Sequence, residues 1–190
     1  MNSSLDAGSQ RVRVGLVGYG WWGKTIARQL ASSPWLQVAA VAEVDATARA
    51  AYESDAFMLQ RANAEVIVLP RTTEEAAAAI KVIREAGLVV VPRGAGTGLS
   101  GGARPVENGA IVGTARMRDV IEVNAEDRYA RVQAGVVNVH LTAACADAGL
   151  FYGPDPSSQT ACTIGGNVSE NSGGVHCLKY GLTVHNVLKV

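Results

Sequence analysis

Aromatic residues are scarce in this chain, at 5% of the total, and its charged side chains cancel, 17 basic against 17 acidic. A nucleic-acid surface needs a clustered cationic face, and readers of single strands need aromatic platforms on which bases stack. The composition argues against both. Cysteine is equally sparse: Cys145, Cys162 and Cys177 are odd in number and widely spaced. That fits reduced thiols in a cytoplasmic protein and argues against a disulfide framework. No apolar run approaches the roughly 20 residues that a membrane-spanning helix requires. The opening MNSSLDAGSQ has neither the basic nor the apolar region of a signal peptide. The chain therefore reads as soluble, with no membrane span and no nucleic-acid partner. With 48% of its 190 residues apolar, it can bury a core, as one domain or two small ones.

Glycine is what the chain has in quantity, and it is concentrated. The stretch PRGAGTGLSGG, residues 92–102, follows the apolar run Leu88 to Val91. Glycines so close together let the backbone turn several N–H groups onto one concave surface, which suits a phosphate or pyrophosphate. The candidate donors are Arg93, Gly94, Ala95, Gly96, Thr97, Gly98, Leu99, Ser100 and Gly101, with Arg93 the only nearby cation.

In chain order, residues 1–11 are expected to be disordered. A short strand (Val12, Val14, Leu16, Val17) leads into GYGWWG, where Gly18, Gly20 and Gly23 have the GxGxxG spacing. A helix from about Trp21 to the Ser32, Ser33, Pro34 stop, then a strand over Val38–Val44, brings Glu43 to the place where a dinucleotide ribose is read. Residues 12–50 thus form a partial Rossmann-like βαβ unit. The fragment GLVGYGWWGKTIARQL with VAAVAEVD resembles the opening of the Gfo/Idh/MocA oxidoreductases, which implies an NAD(P) site at Gly18, Gly20, Gly23 and Glu43. Nothing after Asp45 continues that pattern.

A second organisation begins near residue 51. The pattern predicts a strand over Glu65–Leu69 and a helix from a Thr72/Glu75 capping box to Gly87, with Ala76, Ile80 and Ile83 buried. A strand over Leu88–Val91 then delivers the glycine loop. Short strands follow over Ala110–Val112, Val120–Val123 and Tyr129–Gln133, and a helix capped by Asn138 stops at Gly149. Residues 151–181 read as a long polar segment without helical or alternating pattern, which inside a compact domain points to a site lining. Its candidates are Pro154, Asp155, Ser158, Thr163, Ile164, Gly165, Gly166, Asn167, Asn171, Gly173 and Gly174, rich in neutral donors and acceptors. His176 beside Cys177 invites metal binding or a thiolate nucleophile, but no CxxC or HxxxH spacing accompanies them.

YESD at 52–55, VLPRTTEE at 68–75, PRGAGTGLSGG at 92–102, PDPSSQTACTIGGNVSENSGG at 154–174 and KYGLT at 179–183 resemble one family in order. It is the PCMH-type FAD-binding domain of the glycolate oxidase and D-lactate dehydrogenase group of flavoproteins, within the vanillyl-alcohol oxidase type. The resemblance implies an α+β fold of two subdomains over residues 51–190, with FAD between them. The loop Arg93–Gly101 would hold the pyrophosphate, and the second set of candidates the ribityl chain and isoalloxazine. With no histidine or cysteine in the loop, FAD would be noncovalent. Family members continue beyond the point matching Val190 into a cap domain that grips the substrate. The resemblance therefore implies a C-terminally incomplete fold without catalytic residues, and either Gly96→Val or Gly166→Val would fill cofactor space. The alternatives left open are an NAD(P)-dependent fragment and a noncatalytic truncated module completed by a partner polypeptide.

Overall fold

The computed structural model describes residues 12–17, 28, 36–42, 50–57 and 61–190. Residues 1–11, Gly18, Gly20, Gly23 and Glu43, together with the expected helix from Trp21 apart from Arg28, lie outside these residues. Two strands of the front segment are described, β1 (Val12–Val17) and β2 (Leu36–Ala42), and they pair in parallel. A parallel pair needs a crossover connection, of the kind a βαβ unit supplies.

The remaining strands of the main sheet are β3 (Val66–Val68), β4 (Val89–Arg93) and β5 (Gly109–Gly113). The sheet has five strands in the order β2-β1-β3-β5-β4. β3, β5 and β4 run parallel, whereas β1 meets β3 antiparallel through Leu16 opposite Val68 and Val17 opposite Ile67. The front strands thus extend the second segment's sheet.

β5 lies inside the sheet, between β3 and β4, and all five of its residues are buried. This explains its apolar run GAIVG: a strand covered on both faces has no solvent side for a polar residue. β4 is the edge, and Pro92, which cannot donate to a ladder, is tolerated there. Helix α1 (Thr73–Glu85) covers one face with Ala79, Val82 and Ile83 against Val66, Val68, Leu88, Ala110 and Val112. The other face gathers Ala64, Ile67, Val91 and Ile111, with Tyr52 packed on them.

The start of α1 follows the sequence closely: the Thr72 hydroxyl accepts from the Glu75 N–H at 3.2 Å, while Glu75 accepts from the Arg71 N–H at 2.7 Å. The buried face follows only in part: Ile83 is buried as expected and Ala76 is half-buried, but Ile80 is 37% exposed, and the face that meets the core is Ala79, Val82 and Ile83.

Beyond this layer, β6 (Val120–Asn124) and β7 (Tyr129–Val132) form an antiparallel pair. Helix α2 (Asn138–Cys145) packs on them, burying Val136, Leu141 and Cys145 against Val120, Val123, Ala130 and Val132. Asn138 is not the cap; Val137 holds that place without a side-chain bond. The Asn138 side chain is fully buried and donates instead to the Pro154 carbonyl at 2.9 Å.

Helices α3 (Ile164–Glu170) and α4 (Cys177–Tyr180) lie in the stretch expected to be irregular. The local cause of α3 is Thr163, whose hydroxyl accepts from the Gly166 N–H at 3.2 Å and caps the first turn. Its two glycines masked the helical pattern. A Cβ at Gly165 would stand 2.8 Å from the Ala134 methyl group, so close packing, not loop flexibility, selects glycine there.

Candidate functional site

β4 ends at Arg93, two residues beyond the expected strand, and the chain then enters the glycine loop. None of the N–H groups from Gly94 to Gly101 donates a hydrogen bond within the described residues. The loop is held by other atoms. The Gly96 carbonyl accepts from the Ala56 N–H at 2.8 Å, and the Gly101 carbonyl accepts from Arg104 at 3.3 Å. Carbonyls are thus tied inward while a run of N–H groups stays uncommitted, the polarity an anion cradle requires.

The loop lies against α3. Gly94 is packed so tightly on Thr163 that a Cβ there would overlap the threonine hydroxyl, with the Gly166 Cα 3.8 Å away. Farther along, the Ser100 hydroxyl donates to Glu170 Oε2 at 3.0 Å, and Glu170 Oε1 would lie 2.8 Å from a Cβ on Gly98. Two candidate stretches some seventy residues apart are therefore brought into contact. Gly166 is less crowded than Gly94: a Cβ would meet only the Thr163 hydroxyl, at 3.1 Å, a close contact in which the hydroxyl would have to give by a few tenths of an ångström. Asn167 is buried, and its Nδ2 has no partner among the described residues.

Gly96 differs from Gly166. Its φ is +73°, and a Cβ would fall 2.8 Å from the Arg93 guanidinium carbon. Gly96→Val would therefore collide with the loop's own arginine, not with the space a ligand could enter. The guanidinium donates to the carbonyls of Ala103 at 3.0 Å and Ala51 at 2.9 Å and lies over the Tyr52 ring.

The second set is spread along the polypeptide that runs from Pro154 past α3. The Asp155 carboxylate meets the His176 ring at 2.6 Å and accepts from the His176 N–H at 3.2 Å. His176 is thus paired with Asp155, across Gly174, whose backbone packs on Asp155. The Ser158 carbonyl accepts from Ala161 and Cys162, and Ile164 donates to Val136 at 2.8 Å, which fixes this length of chain to the start of α2. Asn171 closes α3 in a left-handed conformation, and its Oδ1 accepts from Val184 at 3.0 Å. The Thr183 hydroxyl donates to the Ser172 carbonyl at 2.7 Å and leaves Gly173 beside Leu182.

Sequence reading missed Glu170, Asn138 and the role of His176. No spacing rule links Glu170 to Ser100 or His176 to Asp155, because each pair meets only through the tertiary fold. Asp55, inside the quoted YESD, is 5% exposed, and one of its oxygens has no partner among the described residues.

A parallel αβ layer delivering a glycine loop whose N–H groups have no partner among the described residues, beside a capped helix, has the form of a nucleotide-binding fold. The model of the family described as "FAD binding domain" matches residues 64–190, and the chain belongs to that family. FAD is its cofactor, and the N–H run and the Asn167 amide, both without partners among the described residues, are donors of the kind it needs. The chain is 52% identical over 139 residues to the glycolate oxidase subunit GlcD of Escherichia coli K12, covering 73% of this chain and 28% of that protein. It is 42% identical over 125 residues to the D-lactate dehydrogenase of Archaeoglobus fulgidus, covering 66% and 28%. Among solved structures, an alkyldihydroxyacetonephosphate synthase superposes with a TM-score of 0.67 at 26% identity, over 74% of this chain and 28% of that one. The chain thus spans little more than a quarter of the relatives it matches. Among the described residues, no helix is long and apolar enough to cross a membrane.

Proposed function

We propose that this chain is the FAD-binding portion of a flavin-dependent oxidoreductase that converts 2-hydroxy acids of the glycolate or D-lactate kind to 2-oxo acids. The observation that carries this reading is the run of N–H groups from Gly94 to Gly101, uncommitted among the described residues, beside Thr163 and Gly166. Those groups would hold the pyrophosphate. Pro154, Asp155, Ser158, Thr163, Ile164, Gly165, Gly166, Asn167, Asn171, Gly173 and Gly174 would line the ribityl chain and ring, with the Asn167 Nδ2 and the Asn171 amide as donors. When bound, FAD supplies the acceptor for a hydride from the substrate α-carbon, while the protein positions it and excludes water. The loop contains neither histidine nor cysteine, so attachment is noncovalent.

The unit responsible is residues 51–190, with 12–50 an added segment. Because this chain covers only 28% of the glycolate oxidase subunit it matches, the groups that grip the substrate would come from polypeptide corresponding to the remainder. The same polypeptide would cover Val175, Leu178 and Leu188, which are strongly exposed. Free Cys145, Cys162 and Cys177 suit the cytoplasm.

Parallel pairing of β1 and β2 favours a second reading, an NAD(P) site of the Gfo/Idh/MocA kind at Gly18, Gly20, Gly23 and Glu43. Against it, the other neighbour of β1 is antiparallel, where a dinucleotide fold continues with a parallel strand. The test is to incubate the purified chain with FAD, desalt it, and record the flavin absorbance, with NADH quenching alongside. Retained yellow flavin supports the first reading, and colourless protein removes it. Quenching that Glu43→Ala abolishes would support the second.

A further inference from the structure

Arg93 is the cation that a phosphate loop would be expected to aim at its ligand, yet its side chain is 7% exposed and points back beneath the loop. One terminal nitrogen donates to the Ala103 carbonyl at 3.0 Å, at the far end of the loop, and the other to the Ala51 carbonyl at 2.9 Å. The guanidinium fills the space under Gly96, the one place where a side chain on the loop would collide with it. Burial holds its pKa below the usual range for an arginine, and the Asp55 charge opposes that shift, with Tyr52 adding to the opposition. Asp55 is itself buried, accepts from the Phe57 N–H at 2.9 Å, and has a second oxygen without a partner among the described residues. Ala56, next to it, donates to the Gly96 carbonyl. The segment 51–57 and the glycine loop are therefore stitched together by the buried arginine, through Ala51, and by the Ala56–Gly96 backbone bond, with the buried Asp55 carboxylate in the turn that carries Ala56.

We propose that Arg93 and Asp55 are positioning residues: the guanidinium holds the loop from inside through Ala103 and Ala51, and Asp55, bonded to the Phe57 N–H, fixes the turn whose Ala56 N–H holds the Gly96 carbonyl, so that the N–H groups face the pyrophosphate of a dinucleotide. This rests on the FAD reading for the identity of the ligand. The pyrophosphate is then neutralised by backbone dipoles, and the arginine's charge is spent on carbonyls. The physical reason for an arginine is its planar fork, which reaches two carbonyls at fixed separation, whereas a lysine offers one point of attachment.

The test uses the whole chain with Arg93→Lys and, as a near-isosteric second variant, Asp55→Asn. Hydrogen exchange at the Ala56 amide is measured without ligand, and FAD binding is titrated at low and high salt. Both variants are expected to speed Ala56 exchange and to weaken FAD binding by roughly tenfold, the size of a hydrogen bond to a charged group. The Asp55→Asn result is the sharper one. Removing a negative charge near a dianionic ligand would tighten binding if Arg93 paired with phosphate directly, whereas a positioning role requires binding to weaken. Tighter or unchanged FAD binding in Asp55→Asn overturns the proposal. So does a salt-sensitive loss in Arg93→Lys with Ala56 protection intact. If the unaltered chain takes up no FAD, the reading of the ligand fails, and Ala56 exchange alone still decides whether the two residues hold the loop.

Discussion

Gly94 and Thr163 share one space: the threonine hydroxyl that caps α3 occupies the volume a side chain on Gly94 would need. The glycine loop and the helix are thereby locked edge to edge. Gly94→Ala should force them apart, at about 1–3 kcal/mol of strain, and lower both melting temperature and FAD retention. Thr163→Ala removes the overlapping oxygen and about 1 kcal/mol of capping. The double variant should therefore retain more flavin than Gly94→Ala alone, and equal loss in both would show that the contact is not the cause.

Gly166→Val makes the opposite test. The position is helical, and valine has a better helix propensity than glycine by a few tenths of a kcal/mol, but a Cβ there stands 3.1 Å from the capping Thr163 hydroxyl, which has to give way. Thermal stability should change by less than in Gly94→Ala, whose Cβ would overlap the same hydroxyl, while FAD retention disappears, because the side chain enters the space beside the loop. A stable variant that still binds flavin would remove this face from the site.

Glu170 places a carboxylate beside a loop proposed to hold an anion. Glu170→Gln preserves its shape and the acceptor for Ser100. FAD affinity should increase by on the order of two- to fivefold at low ionic strength, and the gain should shrink as salt screens the charge. Isothermal titration at two salt concentrations measures both.

Asn138→Ala should destabilise the chain by about 1–3 kcal/mol, because the buried Pro154 carbonyl loses its donor. Urea unfolding gives the value. The cap it was expected to provide is not there to be lost, so a helix-fraying signature limited to the first turn of α2 would contradict this account.

Alkaline pH supplies a further test. Burial raises the Cys145 thiol above its ordinary 9.0. Burial also raises the Tyr152 hydroxyl above 10.0, with the neighbouring Thr183 opposing and the Cys162 charge adding. Both are neutral in the fold, so the unfolded chain releases its protons first as pH rises. Stability from these groups is complete below about pH 9 and declines as pH passes the unfolded and then the folded values. Denaturation midpoints should fall over that window, and Cys145→Ala with Tyr152→Phe should flatten the slope.

Several features were legible because they are local. The Thr72/Glu75 start of α1, the apolar strand β5 and the glycine loop each depend on residues within one turn or one strand of each other. Helix α3 was missed although it is local, because Gly165 and Gly166 depress helix propensity and the reason for glycine at 165 is Ala134, some thirty residues earlier. The exposure of Ile80 has a different origin: periodicity fixes that a helix has a buried stripe, but the way the helix is rotated on the sheet, which only the packed structure shows, decides that Ala79 and Val82 flank Ile83 in it.

By itself the sequence determined that the loop 94–102 could turn its N–H groups outward, since only closely spaced glycines leave that backbone unhindered. It also determined the order of motifs that carries the family resemblance. Tertiary structure decided what Arg93 does. A guanidinium on a strand end can face a ligand or fold back on its own loop with equal local cost. The choice fell to Ala51, Tyr52 and Asp55, some forty residues away, whose carbonyl, ring and carboxylate compensate its burial only when the chain closes.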